Sequence, residues 1–508
     1  MQGIFSPDRE PHPGAFELKK LQEPVGLTYQ NKDSPIEIKL NSDAKTATPL
    51  TINVKNRYDF RDLSHLKWNF SVETDAATDG FGPFSFDPKI GSLVGHGTST
   101  FTLSLDEIID DVVQLQKSCP DPLELWLNIS GSLKEEQMWA PADHELVSVQ
   151  FPLRIVGLDE YISEPIPTNT IVTEQGGAIE TTHKDTNLTF QSDDRFCRVC
   201  TGDNSTLWAL FDKKTGSLRA LRNADGTKVI SDLDDPASDA PGIEPNYTRA
   251  HTDNDRGGAD LLLAFILPAL LRFLNPLIYF GYSVIQGSGD FSYYLHWRRI
   301  GLMPNKQPSF VCRGIVMKNG ENGSVVVTVS SDSVSTSSST VLIKQKMVYT
   351  FYKDRKISIH HQVYPQRPVQ SLPCLPRVGL SLPLSKDLFN MRYYGRGPIE
   401  NYPDRKACAK MGVFQTTAKD NEFDYIVPSE NGNKTDCRWA AYHTNDGRGI
   451  VVVTDKDCPS MNAGVSLNQQ HELHSALHTV DLKERRNGDT PVYATIDHKM
   501  LGVGGDVR

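Results

Sequence analysis

Apolar residues spaced two apart and bounded by turn-forming residues recur along most of this chain. That spacing constrains the fold more than any other feature. Leu50, Ile52 and Val54 form one such run, and Trp68, Phe70 and Val72 another. Leu123, Leu125, Leu127 and Ile129 repeat the pattern, as do Val147, Val149 and Phe151. A period of two turns the apolar set to one face of a strand, so residues from about Val25 to Ile155 predict a sandwich of half-buried strands. Residues 159–185 lose the alternation and carry Pro165, Pro167, Gly176 and Gly177, which predicts a linker or wrapping segment. Alternation resumes at Leu207, Ala209 and Phe211, which run into the turn residues Asp212 to Gly216. It continues through Val325, Val327 and Val329, then Ile357, Ile359 and His361. The chain reads as all-β, and 508 residues suffice for two to four domains.

Charge and cysteine usage narrow the partners. The formal net charge is −10 and no basic tract occurs, so there is no electrostatic footprint for nucleic acid or an anionic membrane. Residues 261–280 are almost wholly apolar, yet they contain Pro268, Arg272, Asn275 and Pro276. A central arginine costs roughly 3 kcal/mol on membrane-insertion scales. A buried or rim-covering insertion, or a mis-joined exon, therefore fits better than a membrane span. Cys197 and Cys200 form the single C-x-x-C among eight cysteines, in a strand-like setting with no second pair. They read as buried structural thiols rather than a zinc or redox site. The sequons at Asn128 and Asn246 follow no secretory signal at Met1, so a reducing cytoplasm is the expected location.

The most particular stretch runs Tyr393-Tyr394-Gly395-Arg396-Gly397-Pro398-Ile399-Glu400-Asn401-Tyr402-Pro403-Asp404-Arg405-Lys406. Gly395 and Gly397 allow positive φ or close backbone approach, and Pro398 fixes the exit. Asn401, Asp404 and Arg405 can bond a turn closed. That chemistry points to structure before catalysis. With Val427 to Gly432 and Asp436 to Trp439 downstream, the stretch resembles the C-terminal domain of the family 2 β-galactosidases. The resemblance extends over nearly the whole chain, through Gly3 to Pro13, Val54 to Leu63 with Trp68, Arg249 to Gly257, and Ile496 to Asp506.

The resemblance implies four parts. Residues 1–24 would be the tail of the catalytic (β/α)8 barrel, and 25–157 an immunoglobulin-like β-sandwich. Residues 158–188 would be a linker, and 189–508 a supersandwich akin to galactose mutarotases, stopping short of the family's closing strands. The two catalytic glutamates would lie on the barrel, before Met1. A retaining glycosidase needs two carboxylates about 5 Å apart across the sugar, and no neighbouring pair here takes that role, so no catalytic residue is expected. The family's magnesium and sodium sites would also lie mainly on the barrel, with Gln2 at a sodium-binding amide position, so no metal or cofactor is expected in this chain.

The implied function is that of the C-terminal, non-catalytic part of a β-galactosidase acting on terminal β-D-galactose residues such as those of lactose. A galactoside would be engaged only in a complete enzyme, with a homo-oligomer or a barrel-bearing chain as partner. The alternative is a stand-alone carbohydrate-binding or assembly subunit that joins a separate barrel. An anomer-interconverting activity would rest on fold analogy alone.

Asp253, Asn254, Asp255 and Gly257 are the candidate substrate-rim loop. A calcium loop starting at Asp253 would need glutamate where Ala264 stands. Glu400 and Glu430 read as satisfied loop anions, Asp404 with Arg405 as an ion pair or turn clamp, and Tyr394 with Trp439 as core aromatics. Asp8, Arg9, Glu10 and His12 read as an interdomain seam. His471, His474 and His478 have helical spacing, but the resemblance implies a β-rich segment there and no zinc.

Overall fold

The computed structural model describes residues 4–29, 35–41, 46–47, 49–76, 80–119, 122–156, 171–173, 177–179, 187–202, 206–230, 241–256, 293–305, 307–455, 458–484 and 491–504. Gln2, Gly257 and the apolar stretch 261–280 lie outside the described residues. Among the described residues no helix is long and apolar enough to cross a membrane.

Strand alternation builds the first stack. In Leu66–Thr74 every second side chain from Leu66 is buried, and in Leu50–Asn56 every second one from Leu50. The inward rows need a facing layer. Val25–Thr28, Leu50–Asn56 and Thr98–Leu103 make an antiparallel three-stranded sheet. The second sheet has six strands, ordered Thr46–Ala47, Ile36–Asn41, Glu145–Val156, Leu125–Leu133, Leu66–Thr74 and Phe81–Phe86. Ile52, Val54, Trp68, Phe70, Leu127 and Val147 share one core. One helix, Asp106–Ser118, joins that core through Ile108, Ile109, Val112 and Val113, a helical rather than a two-residue repeat.

Within the residues read as a linker, Ile171–Thr173 pairs antiparallel with Gly177–Ile179.

The second stack is larger. A ten-stranded sheet runs Leu188–Ser192, Phe196–Thr201, Thr206–Asp212, Leu218–Arg222, Lys228–Ile230, Arg377–Leu384, Val492–Met500, Met461–Ser466 and Lys434–Cys437, with Glu244–Asn246 added beside Arg377–Leu384. The strands Ser309–Asn319, Val325–Val334, Val341–Phe351 and Ile357–Pro365 form a meander. A further sheet is ordered Lys410–Thr417, Asn390–Gly397, Trp439–His443 and Gly449–Val453. Val325, Val327 and Val329 are buried in register with Phe351, Tyr349 and Met347. The aromatic pairs Trp208–Phe351 and Phe211–Tyr349 meet edge-on at 5.0 Å. Cys197 and Cys200 are buried free thiols in Phe196–Thr201.

The two stacks meet along a polar seam. Arg438 clasps Glu124 with two bonds, at 3.0 and 2.7 Å. Gln150 both donates to and accepts from the backbone of Met411, at 2.8 and 2.7 Å. Glu17 accepts the amides of Ala407 and Cys408. His12 packs its buried ring edge-on against Phe423 and Tyr425, at 5.3 and 5.7 Å. Asp8 does not reach across. It accepts from Ser6 and from the Glu10 amide, because a tight turn brings those donors to it first.

Candidate functional site

The strand Asn390–Gly397 lies between two neighbours, and its glycines answer to crowding rather than to positive φ. A Cβ on Gly395 would stand 2.5 Å from Cys437 Sγ, and one on Gly397 2.7 Å from the Phe414 ring. The Gly397–Pro398 peptide is cis. Beyond it Asn401, with no exposed surface, closes the loop. It donates to the carbonyls of Arg396 and Ile399 and accepts from the Thr435 amide and hydroxyl.

Glu400 is buried and fully engaged. It accepts from the Tyr425 hydroxyl at 2.5 Å and the Gly432 amide at 2.7 Å, and pairs with Arg405. Tyr402 and Arg405 exchange backbone hydrogen bonds, and the Arg405 guanidinium lies over the Tyr402 ring at 5.2 Å. That turn directs Arg405 to Glu400, so the expected Asp404–Arg405 pair does not form. Asp404 instead accepts the amides of Val503 and Gly504, at 3.0 and 2.5 Å.

The other candidate segment converges on the same place. Asp253–Arg256 is a single helical turn. Asp255 is buried and receives Arg249 Nε and Nη2, at 3.1 and 2.7 Å. Arg249 also donates to the carbonyls of Leu501 and Gly502, at 2.6 and 2.9 Å. Asn254 donates to the Val503 carbonyl at 2.6 Å. Residues 501–504 are therefore held from both candidate segments at once. Asp253 remains exposed.

A second guanidinium lies deeper. Arg377 donates to Glu430 at 2.7 Å and stands 3.6 Å from Asp497. Burial pushes the Asp497 carboxyl up to about 7 against the pull of Arg377, and Glu430 reinforces the rise. Burial raises Glu430 as well. The Glu430 amide also bonds the Ala250 carbonyl, which fixes one segment to the other.

The histidine row departs from the expected β-rich segment. Gln470–Ser475 is a helix, started by a reciprocal capping box between Gln469 and Glu472. His474 packs on His251 at 4.6 Å, and burial drives His251 down to about 2, so its ring is neutral packing material. Among the described residues no group of three His, Cys, Asp or Glu side chains is arranged to hold a metal. Tyr394 is buried as expected, while Trp439 is half-buried. Arg377 and Tyr425 carry no sign in the sequence, and Arg249 and Asp497 are marked there only as parts of stretches that carry the resemblance. A buried charge in an alternating strand carries no mark of its own, since its partner is found only on folding.

Chemically the junction is a scaffold. Glu400, Glu430, Asp255 and Asp404 are each committed to a guanidinium or to amide donors, an arrangement that fixes loops rather than transfers protons.

Comparison with known proteins gives this geometry a setting. The family model described as beta galactosidase small chain matches residues 203–507, and that of beta-galactosidase domain 4 matches residues 52–154. The β-galactosidase of Priestia megaterium is 25% identical over 507 residues, which cover 99% of this chain and 38% of the relative. That of Pseudoalteromonas haloplanktis is 23% identical, covering 100% of this chain and 39% of its own length. The chain thus spans less than half the length of the curated relatives it matches. A galactose mutarotase-like protein from Lactobacillus casei superposes with a TM-score of 0.28 at 9% identity, over 63% of this chain and 90% of that one. That overlap is too loose to argue from.

Proposed function

The chain belongs to the β-galactosidase small chain family, and from that premise we propose that it serves as the C-terminal, non-catalytic part of a β-galactosidase. The reaction would be hydrolysis of terminal non-reducing β-D-galactose residues in galactosides such as lactose. On this reading the two catalytic carboxylates come from a barrel, and this chain binds carbohydrate by completing the rim of the pocket.

The observation that carries the reading is the shared turn at residues 501–504. Arg249, Asn254 and Asp404 all hold it, which fixes the Asp253 segment against a buried scaffold. Asp253 and Asn254 stay at the surface, where a carboxylate and an amide can bond sugar hydroxyls. The commitment of Glu400 and Glu430 to buried partners supports a supporting role over a hydrolytic one. We assign this part no metal or cofactor and no nucleic-acid or membrane partner. Eight free thiols support a reducing cytoplasm.

The test is reconstitution. The chain is purified alone, and then together with a barrel-bearing chain of the family, and both are assayed on o-nitrophenyl β-galactoside. Hydrolysis should need both, and Asp253→Ala should raise KM about fivefold, the worth of roughly one hydrogen bond. Hydrolysis by this chain alone, or full activity of the barrel without it, overturns the reading. Co-purification of a separate native barrel chain would make the chain an assembly subunit.

A further inference from the structure

On the ten-stranded sheet, facing away from the apolar core, a cleft opens between the strand Glu244–Asn246 and the segment from Ser466 to Gln470. Strand parity makes its floor polar. Leu382, Ala494 and Val465 turn into the core, so their neighbours Ser381 and Thr495 turn the other way. Register sets Glu244 opposite Ser381, and Ser381 opposite Thr495. Three side chains from three strands thus stand in one row, roughly 5 Å apart.

Among the described residues the polar side-chain atoms of Glu244, Ser381 and Thr495 have no hydrogen-bond partner. One step along the sheet, Tyr493 accepts from Gln469 at 2.6 Å, which leaves its own hydroxyl hydrogen to donate. Pro245 and Pro383 add apolar wall beside the row, and no lysine or arginine lines the cleft. Burial holds the Glu244 carboxyl up to about 7, against Arg219, whose guanidinium is paired with Asp212 at 2.9 Å.

We propose that this cleft binds a neutral polyhydroxylated ligand of the sugar class, whose hydroxyls bond Glu244, Ser381 and Thr495. Hydroxyl side chains both donate and accept, as ligand hydroxyls do, and the flanking prolines suit the apolar face of a ring. An anionic ligand would meet Glu244 with no lysine or arginine in the cleft lining to offset it. A single carboxylate cannot run retaining hydrolysis, so the cleft holds its ligand and does not cleave it. The site is built within this chain and does not rest on the rim reading.

Ligand-observed saturation-transfer NMR on the full chain, with D-galactose and then lactose as probes, tests this directly. Transfer should be saturable, and Ser381→Ala and Thr495→Val should each weaken affinity about fivefold. Glu244→Gln keeps a neutral donor and acceptor and should stay within about threefold of the native chain, whereas Glu244→Leu should abolish binding. Circular dichroism checks that each variant folds, and Thr495→Val decides the matter if Glu244→Leu does not. No saturable transfer from the folded native chain, or transfer undiminished in both Ser381→Ala and Thr495→Val, overturns the proposal. Failed reconstitution of hydrolysis would remove the rim reading and leave this result standing.

Discussion

The indole N–H of Trp126 donates to the phenol oxygen of Tyr394 at 2.9 Å, across 268 residues of sequence. Trp126 belongs to the first stack and Tyr394, which has no exposed surface, to the second. The bond sits in the same seam as Glu124–Arg438 and Gln150–Met411.

Breaking it should couple the two stacks less tightly. Trp126→Phe strands the buried phenol oxygen and Tyr394→Phe strands the indole, each at about 1–3 kcal/mol. In a urea double-mutant cycle the two losses should fall short of adding by about 1 kcal/mol. Strict additivity would show that the contact carries no coupling.

Arg377 holds two carboxylates, and removing it should cost more than removing either of them. Arg377→Met leaves Glu430 and Asp497 buried without a cation, a loss of about 3–5 kcal/mol. Adding Glu430→Gln and Asp497→Asn to it should recover part of that loss. Equal stabilities for the single and triple variants would contradict the assigned charge balance.

Stability should fall as pH rises through neutrality on account of Asp497. Its folded carboxyl is held up to about 7, above the ordinary value of about 3.9. The folded chain therefore binds the proton more tightly than the unfolded chain. The contribution is fully present below about pH 4 and lost as pH passes through about 7. Asp497→Asn should flatten the denaturation midpoint between pH 5 and pH 8, and an unchanged slope would assign the effect elsewhere.

Two glycines should respond oppositely to alanine. Gly395→Ala drives a methyl against Cys437 Sγ and its Cα, at 2.5 and 2.9 Å, and should cost about 1–3 kcal/mol. Gly14, in the helix Pro13–Leu21, has nothing within 4 Å. Gly14→Ala should gain about 1 kcal/mol from helix propensity. Thermal melts of the two variants compare them directly.

The strands were legible because burial of alternate residues writes itself into sequence, as in Val325, Val327 and Val329. Pairing was not. Asp404 and Arg405 are neighbours in sequence with opposite charge, yet the turn through Tyr402 sends them to different partners. The helix Gln470–Ser475 was signalled by Gln469 and Glu472 three apart, a capping pattern obscured by the histidines beside it. The row of Glu244, Ser381 and Thr495 had no local sign at all. Register between distant strands creates it.

Arg249 finds two of its acceptors 252 and 253 residues later in the chain, and Asn254 finds its own 249 later. A ribosome adds residues in order, and domains tend to fold as they emerge. Arg249 can pair with Asp255 at once, but the carbonyls that complete its coordination do not exist until the turn at residues 501–504 has left the tunnel. The large stack must wait for residues 501–504 before that junction can lock, so a ribosome stalled ahead of them would hold a chain whose earlier strands are present but whose latch is open.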